Sequence, residues 1–381
     1  MIIDTITCHN VYNYGASLQA YALQHYLESL GHDVKIVDFQ PWFHRDRYNP
    51  NYIDHDRKLY KLLHNWPTLM NFLHVVKDRK QIQLMKSMWG RKVSFDNFTI
   101  DYLRLTKRYN SSEELKADPP VADIYVAGSD QIWNTESRNG REPGYYLDFG
   151  NAKKVSYAAS FAVSEIQDEW RPFVKSQLSH FQHISVREKT GLTILKSLGI
   201  KNGVQVVDPV FLLGADEWKV LALKAKEYGL KENNYIVVYD FLNDERIAAF
   251  AKKLKGQTNM TVVSINDFNI LPYVDININD AGPLEFVSLI SKAAAVVCSS
   301  FHASAFSLIF QKPFYVYPLI GQNNSSRMED LLNLIGHHER FMPNEILDDM
   351  DYDAIQSVWD NEIGRSKDVL QSFINNYIKC E

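Results

Sequence analysis

The sequence predicts an α/β protein built as two doubly wound, Rossmann-like halves that face a cleft. Three observations carry that expectation. Short apolar runs alternate with amphipathic stretches through most of the chain. The stretch Ala293–Pro318, AAAVVCSSFHASAFSLIFQKPFYVYP, reads as a buried strand, a helix and a second strand in succession. The chain's 381 residues are enough for two ordinary α/β domains.

Taken in order, Ile2 to Thr7 is a β-branched strand that runs into the loop Cys8–Ser17. Leu18, Ala22, Leu23, Tyr26, Leu27 and Leu30 then recur at helical spacing, and Gly31 closes that helix. Val34 to Phe39 is the next strand. Within the loop, Gly15 either lets the backbone approach a ligand or serves a tight turn with Asn13 as its partner. No GxGxxG fingerprint is present, so nothing here asks for a dinucleotide.

Residues 41–120 interrupt the rhythm. An aromatic, polar loop with Trp42, Phe43, Tyr48 and Tyr52 leads into a basic helical insertion. Between Arg57 and Lys92, nine Lys and Arg residues stand against the single acid Asp78, with apolar residues interleaved. Such a segment suits either the solvated face of an ordinary insertion or contact with an anionic membrane surface.

The alternation then resumes. Asp123 to Ala127 is a strand that opens into Gly128-Ser129-Asp130-Gln131-Ile132-Trp133-Asn134, which sets polar groups at a sheet's carboxyl edge. Trp133 suits stacking on a sugar or packing beneath the loop. Val155–Ala159 and His183–Val186 are strands, a helix spans about 164–181, and Arg187-Glu188-Lys189 precedes a helix at Thr190–Leu198. Val204–Val207 ends at Asp208-Pro209. In the second half, Tyr235–Tyr239 and Thr261–Ile265 read as strands around a helix from Asp244 to Lys255, and Gly282-Pro283 opens another helix. In the Ala293–Pro318 stretch, Ser299 and Ser300 break the apolar run and His302 stands at a helix mouth. That place suits an anion held by first-turn amides, with a histidine to move protons. A capping Ser pair with a structurally satisfied His explains the same residues. Asn323–Arg327 is a polar loop before a helix at Met328–Leu334, and a long helix from about Tyr352 to Ile378 ends the chain. The implied domains are 1–180, with the insertion at about 41–120, and 181–360, with a helix at 361–381 that packs back on the first.

Composition narrows the class. With 45% hydrophobic and 23% charged residues the chain is globular, and a net charge of −5 argues against general nucleic-acid binding. Cys8, Cys298 and Cys380 show no metal-ligand spacing, so free thiols in a reducing compartment are expected, and no metal. MIIDTITCHN lacks the charged and long apolar regions of a signal peptide, and no run long and apolar enough to span a membrane is present.

Four segments together resemble the polysaccharide pyruvyl transferase family. They are Asn13-Tyr14-Gly15-Ala16 with Leu18-Gln19-Ala20-Tyr21-Ala22-Leu23, the loop Gly128–Asn134, Val186-Arg187-Glu188 with Asp208-Pro209, and Ser299–Ser304 with Lys312-Pro313-Phe314. The resemblance implies a GT-B-like fold and transfer of pyruvate from phosphoenolpyruvate to two hydroxyls of a sugar, as a ketal, with no cofactor. It implies His302 as the catalytic histidine and Arg187 as a donor-binding arginine. Some members carry an arginine two residues before the histidine; Ser300 stands there in this chain, and Arg327 is the candidate replacement. Ser299 and Ser300 join these as donor contacts. Asn13, Tyr14, Gly15, Ser129, Asp130 and Gln131 complete the substrate-binding set. The resemblance further implies a saccharide acceptor, cytoplasmic action in the making of a bacterial cell-surface polysaccharide, and work at the inner face of the membrane. The same architecture also suits a glycosyltransferase with a nucleotide-sugar donor, for which Glu285 is the nearest acid to bind a ribose, or a non-catalytic sugar-binding protein.

Overall fold

The computed structural model describes residues 1–44, 62, 66–77, 79–266, 270–320 and 326–375. One sheet holds β1 (Ile2–Ile6), β2 (Asp33–Phe39), β3 (Leu105–Tyr109), β4 (Ile124–Ala127) and β5 (Lys153–Ser156) in the order β3-β2-β1-β4-β5. The short pair β6 (Ser185–Val186) and β7 (Val204–Gln205) continues from its edge, through bridges from Val155 to His183 and from Ala159 to Val186. The second sheet holds β8 (Tyr235–Tyr239), β9 (Thr261–Ile265), β10 (Ile276–Ile278), β11 (Ala295–Cys298) and β12 (Phe314–Val316) in the order β10-β9-β8-β11-β12. Every pairing is parallel, so within each sheet all carboxyl ends point one way.

Helices connect and cover these strands. In the first half they are α1 (Tyr14–Ser29), α2 (Pro67–Lys77), α3 (Arg79–Ser87), α4 (Trp89–Tyr102), α5 (Ser112–Ala117), α6 (Arg171–Leu178) and α7 (Lys189–Ser197). The second half adds α8 (Ala215–Ala222), α9 (Glu245–Thr258), α10 (Pro283–Ser291), α11 (Phe301–Ile309) and α12 (Ser326–Leu334), and α13 (Tyr352–Asn375) closes the described chain.

Local chemistry sets the helix ends. The Asn13 side chain caps α1 by accepting from the Ala16 N–H at 3.2 Å, and Gly31 follows the helix in the left-handed region at φ 85°. Asp244 caps α9 through the Arg246 N–H at 2.8 Å. Glu285 accepts from the Gly282 N–H at 2.8 Å and the Lys226 N–H at 2.9 Å. It is therefore a buried capping group rather than the helix-surface acid its sequence position suggests. Trp133 is fully buried, stacks on Tyr146 and donates to the Tyr145 carbonyl, so it packs beneath its loop. The strand at Ser185–Val186, placed by the sequence in the second half, is paired with the first sheet. The helix expected over 164–181 is confined to α6 and a preceding 3₁₀ turn, with Pro172 in the first turn of α6. Of the basic insertion, Arg57, Lys58 and Lys61 lie outside the described residues; Tyr48 and Tyr52 of the preceding loop, Asn323 and the chain end beyond 375 do also.

The halves touch through α1. Tyr14 is buried, stacks on Phe286 of α10 at 4.5 Å between centroids, and donates to the Ala281 carbonyl at 3.1 Å. Arg91 of α4 lies 4.3 Å above the same ring, bonds its hydroxyl, and donates to the Ala281 carbonyl at 3.1 Å. One apolar cluster runs through both halves from Ile3 and Leu18 to Phe286 and Phe306. Helix α13 returns to the first half: Ser366 accepts from the Val207 N–H, Phe373 stacks on His183, and Gln371 donates to the Tyr26 hydroxyl. Tyr14→Ala removes ring packing and the Arg91 contacts with its ring and hydroxyl, while Arg91 keeps the Ala281 and Tyr12 carbonyls. We expect a loss of about 3–5 kcal/mol in denaturant unfolding, against a near-neutral change for Tyr21→Phe as a control.

Candidate active site

A cleft of about 730 Å³ opens at the carboxyl ends of both sheets. Its walls come from the loops after β1, β2, β4, β8 and β11 and from the start of α12. Asn13, Asp130, Gln131, Ser299, Ser300, His302 and Arg327 line it, as does Phe301.

The charged groups meet on one carboxylate. Asp208 is buried on the passage between the halves. Its Oδ2 accepts from Arg187 Nη1 at 2.5 Å and from the Ser129 hydroxyl at 3.0 Å. His302 Nε2 stands 3.6 Å from the same oxygen, just beyond hydrogen-bond reach. Burial raises the Asp208 carboxyl, but positive charge on His302 and Arg187 outweighs burial and holds it well below the usual carboxylate range. Asp130 Oδ1 lies 3.7 Å from Arg187 Nη2, and its backbone is left-handed at φ 69°.

Arg187 and Arg327 both approach one ring. Their guanidinium carbons lie 4.9 Å and 5.9 Å from the centroid of Phe301. Both arginines are buried, yet Nε of each and Nη2 of Arg187 lack hydrogen-bond partners. Burial, then repulsion from Arg187, pulls Arg327 down to about 10, so both stay charged near neutral pH. Burial opposes the Arg187 charge, but Asp208, Asp130 and Glu188 more than restore it and raise its pKa. Glu188 is fully buried and accepts from the Ser160 hydroxyl and the Phe161 and Ala162 N–H groups. It fixes the loop after β5 instead of reaching the cleft.

Helix α11 begins at this point. Ser300 precedes it in extended backbone and makes no side-chain cap bond, so its hydroxyl and the first-turn amides are available to an anion. The Ser299 hydroxyl donates to the Tyr239 carbonyl at 3.3 Å. Across the cleft, Gly15 is packed onto the His302 ring. A Cβ at Gly15 would sit 1.9 Å from His302 Nδ1, so only glycine leaves the imidazole where it is. The close approach expected at Gly15 is made by a protein side chain.

The expected residues thus divide. Asn13, Asp130, Gln131, Ser299, Ser300, His302 and Arg327 stand on the cleft wall. Arg187 lies one layer behind, on a smaller space of about 50 Å³ shared with Phe301, Arg327 and Asp208. Ser129 is buried beneath Asp208, Gly15 sits against His302, and Tyr14 points away to pin the halves. Asp208 went unassigned although it stands at a strand end directly before Pro209. Trp42, His44, Arg138 and Phe241 also line the cleft, and their loops carry no pattern that marks them. Arg138 lies 4.2 Å above the Trp42 ring. His44 is held by Asn139 Oδ1 at 2.7 Å and by the Tyr145 hydroxyl at 3.3 Å, and burial above all pushes it down to about 4.

The comparisons with known proteins bear on family and fold. The polysaccharide pyruvyl transferase family profile matches residues 13–318. No curated protein matches the chain significantly. Among solved structures, UDP-N-acetylglucosamine 2-epimerase from Rickettsia bellii superposes with a TM-score of 0.50 at 9% identity, over 99% of this chain and 96% of that one. The S. aureus MnaA–UDP structure does so with a TM-score of 0.50 at 11% identity, over 100% and 97%. At such identities the likeness is one of fold, the two-domain GT-B architecture. With its profile match over most of its length, the chain belongs to the polysaccharide pyruvyl transferase family, on a GT-B-like fold.

Proposed function

We propose that this protein transfers pyruvate from phosphoenolpyruvate to two hydroxyls of one saccharide, forming a ketal, in the cytoplasmic assembly of a surface polysaccharide. The observation that carries this reading is the gathering of Arg187, Arg327 and His302 around Phe301 and Asp208. Two buried guanidiniums with unused N–H groups, beside open helix amides, suit a donor that bears a phosphate and a carboxylate.

The proton inventory of the reaction closes on itself. One proton must reach the donor's methylene carbon, which makes a methyl group and leaves the neighbouring carbon electron-poor. A sugar hydroxyl then adds there and loses its proton, and phosphate departs with its bridging oxygen. The second hydroxyl adds in turn and loses its own. Two hydroxyl protons leave the acceptor; one balances the new methyl group and the other the released phosphate. His302, with Nε2 facing the cleft side of Asp208, is the group we assign to carry a proton between these partners. Asp208 faces that nitrogen at 3.6 Å, and the packing of Gly15 fixes the ring. Arg327 is the nearer anion contact, and Arg187 adds charge from behind while it holds Asp208. The nucleotide-sugar alternative loses its ribose-binding acid, because Glu285 is engaged as a cap.

Three measurements test the reading. His302→Ala should lower phosphate release from phosphoenolpyruvate by about 10²–10⁴-fold with the fold intact. Near wild-type turnover in that variant removes the catalytic role. Arg327→Ala and Arg187→Ala should each weaken phosphoenolpyruvate binding by about tenfold or more in calorimetry; unchanged affinity in both overturns the donor assignment. Gly15→Ala should displace the His302 ring and cut kcat by about 10²-fold while donor affinity moves only a few-fold. Alanine is otherwise the better helix former at this place, so a stable, folded and inactive Gly15→Ala chain separates ring displacement from unfolding.

A further inference from the structure

We infer that the outer face of α2, with the basic turn that follows it, is a docking surface for an anionic lipid bilayer. The inference stands on the insertion alone and does not depend on the reaction.

Helix α2 is two-faced, and its apolar residues are on the wrong side for a core. Met70 and His74, one turn apart, are buried against the protein. Trp66, Leu69, Phe72 and Val76 recur at helical spacing on another face and are exposed to 66%, 42%, 63% and 56%. Scattered exposed apolar residues need no explanation, but a row of four with an aromatic at its head marks a contact surface.

Charge decides what the contact is. At the end of this row, Lys77, Arg79, Lys80 and Lys86 are exposed and form no ion pair with a described residue. From Arg57 to Lys92 the chain carries nine Lys and Arg residues against one acid, although its net charge is −5. The positive charge is thus segregated onto the segment that also exposes apolar side chains. An apolar stripe beside a cationic rim is the pattern of a helix that lies in a membrane interface, with its apolar residues between headgroups and its cations on anionic lipid. Trp66 and the half-exposed Trp89 of α4 suit the headgroup level. Among the described residues no helix is long and apolar enough to cross a membrane, so the contact is peripheral.

The test is co-sedimentation of the full chain with vesicles of phosphatidylcholine alone and of phosphatidylcholine mixed with phosphatidylglycerol. Binding should require the anionic lipid and should fall as salt is raised. Each cation near such a surface is worth about fivefold in partition, so Lys77→Glu, Arg79→Glu and Lys80→Glu together should lower binding by at least about a hundredfold, the loss of the three cations alone. Phe72→Ser should lower it about tenfold or more. Phosphoenolpyruvate affinity and melting temperature should stay unchanged in both variants, since neither touches the cleft. Failure to sediment with anionic vesicles, or equal sedimentation after the triple charge reversal, overturns the inference. Lipid-free dimers of the wild-type chain that Phe72→Ser abolishes also overturn it, because the row would then be a self-association face.

Discussion

The site depends on one buried carboxylate. Asp208 receives Arg187 from the end of β6, Ser129 from the loop after β4, and the approach of His302 from the start of α11. Three of these lie on the first half or the passage from it, and His302 comes from the second. Taking Asp208 and Arg187 out of water is costly, and removal of one partner from such a pair typically costs about 3–5 kcal/mol. The arrangement is tolerable because the charges are shared. Arg187 sees Asp208, Asp130 and Glu188, and Asp208 sees the Arg187 guanidinium, the Ser129 hydroxyl and the His302 imidazole. What stays uncompensated lies on the guanidinium edges. Buried donors without partners are disfavoured by about 1–3 kcal/mol each, and an anion seated beside them relieves that penalty.

Asp208 faces the His302 imidazole, and Gly15 sets the position of that ring. The contact crosses between the halves, since Gly15 is on α1 and His302 on α11. Tyr14, the neighbour of Gly15, is locked onto Ala281 and Phe286. The apolar pin and the residue that abuts His302 are therefore neighbours in one helical turn. A shift of α1 by a fraction of an ångström would move both, so interface packing and proton-transfer geometry are mechanically coupled.

Much of this was legible in the sequence, for identifiable reasons. β8 is a short apolar run, β9 a short β-branched one with Ser264 inside it, and β11 ends where Ser299 and Ser300 end the apolar run. Burial on both faces leaves no other pattern. Asn13, Gly31 and Asp244 declare helix ends by their own chemistry. The β3 strand, Leu105–Tyr109, was not legible, because it lies at a sheet edge and alternates with exposed Lys107 and Arg108. At three residues, β10 is too short to carry a period. In the site, His302 and Arg327 reached the cleft from their positions at helix starts. Tyr14 did not, because its role is decided by Phe286 and Ala281, more than 260 residues away. Asp208 shows the same limit from the other side: a carboxylate before a proline looks like a turn until three partners converge on it. Trp42 and Arg138 lie in separate loops, and only the fold brings them face to face.

Ser300 is the clearest departure from the pattern some relatives show, and the geometry gives it a physical account. A hydroxyl stands at position 300, and Arg327 of α12 brings its guanidinium to 5.9 Å from the ring of Phe301, the next residue. Coulomb attraction depends on distance and dielectric, and the segment that supplies the charge does not enter. The exchange is not neutral in detail. An arginine at position 300 would lie over the first-turn amides of α11, whereas one from α12 leaves them open. It also places two buried cations near each other, and their repulsion contributes to pulling Arg327 down to about 10. On the proposed reading, a multiply charged anion beside the two guanidiniums offsets that repulsion, which favours binding. A singly charged ligand cannot neutralise both. On the proposed reading, the move from position 300 to 327 therefore favours a donor with two anionic groups and disfavours simple carboxylates.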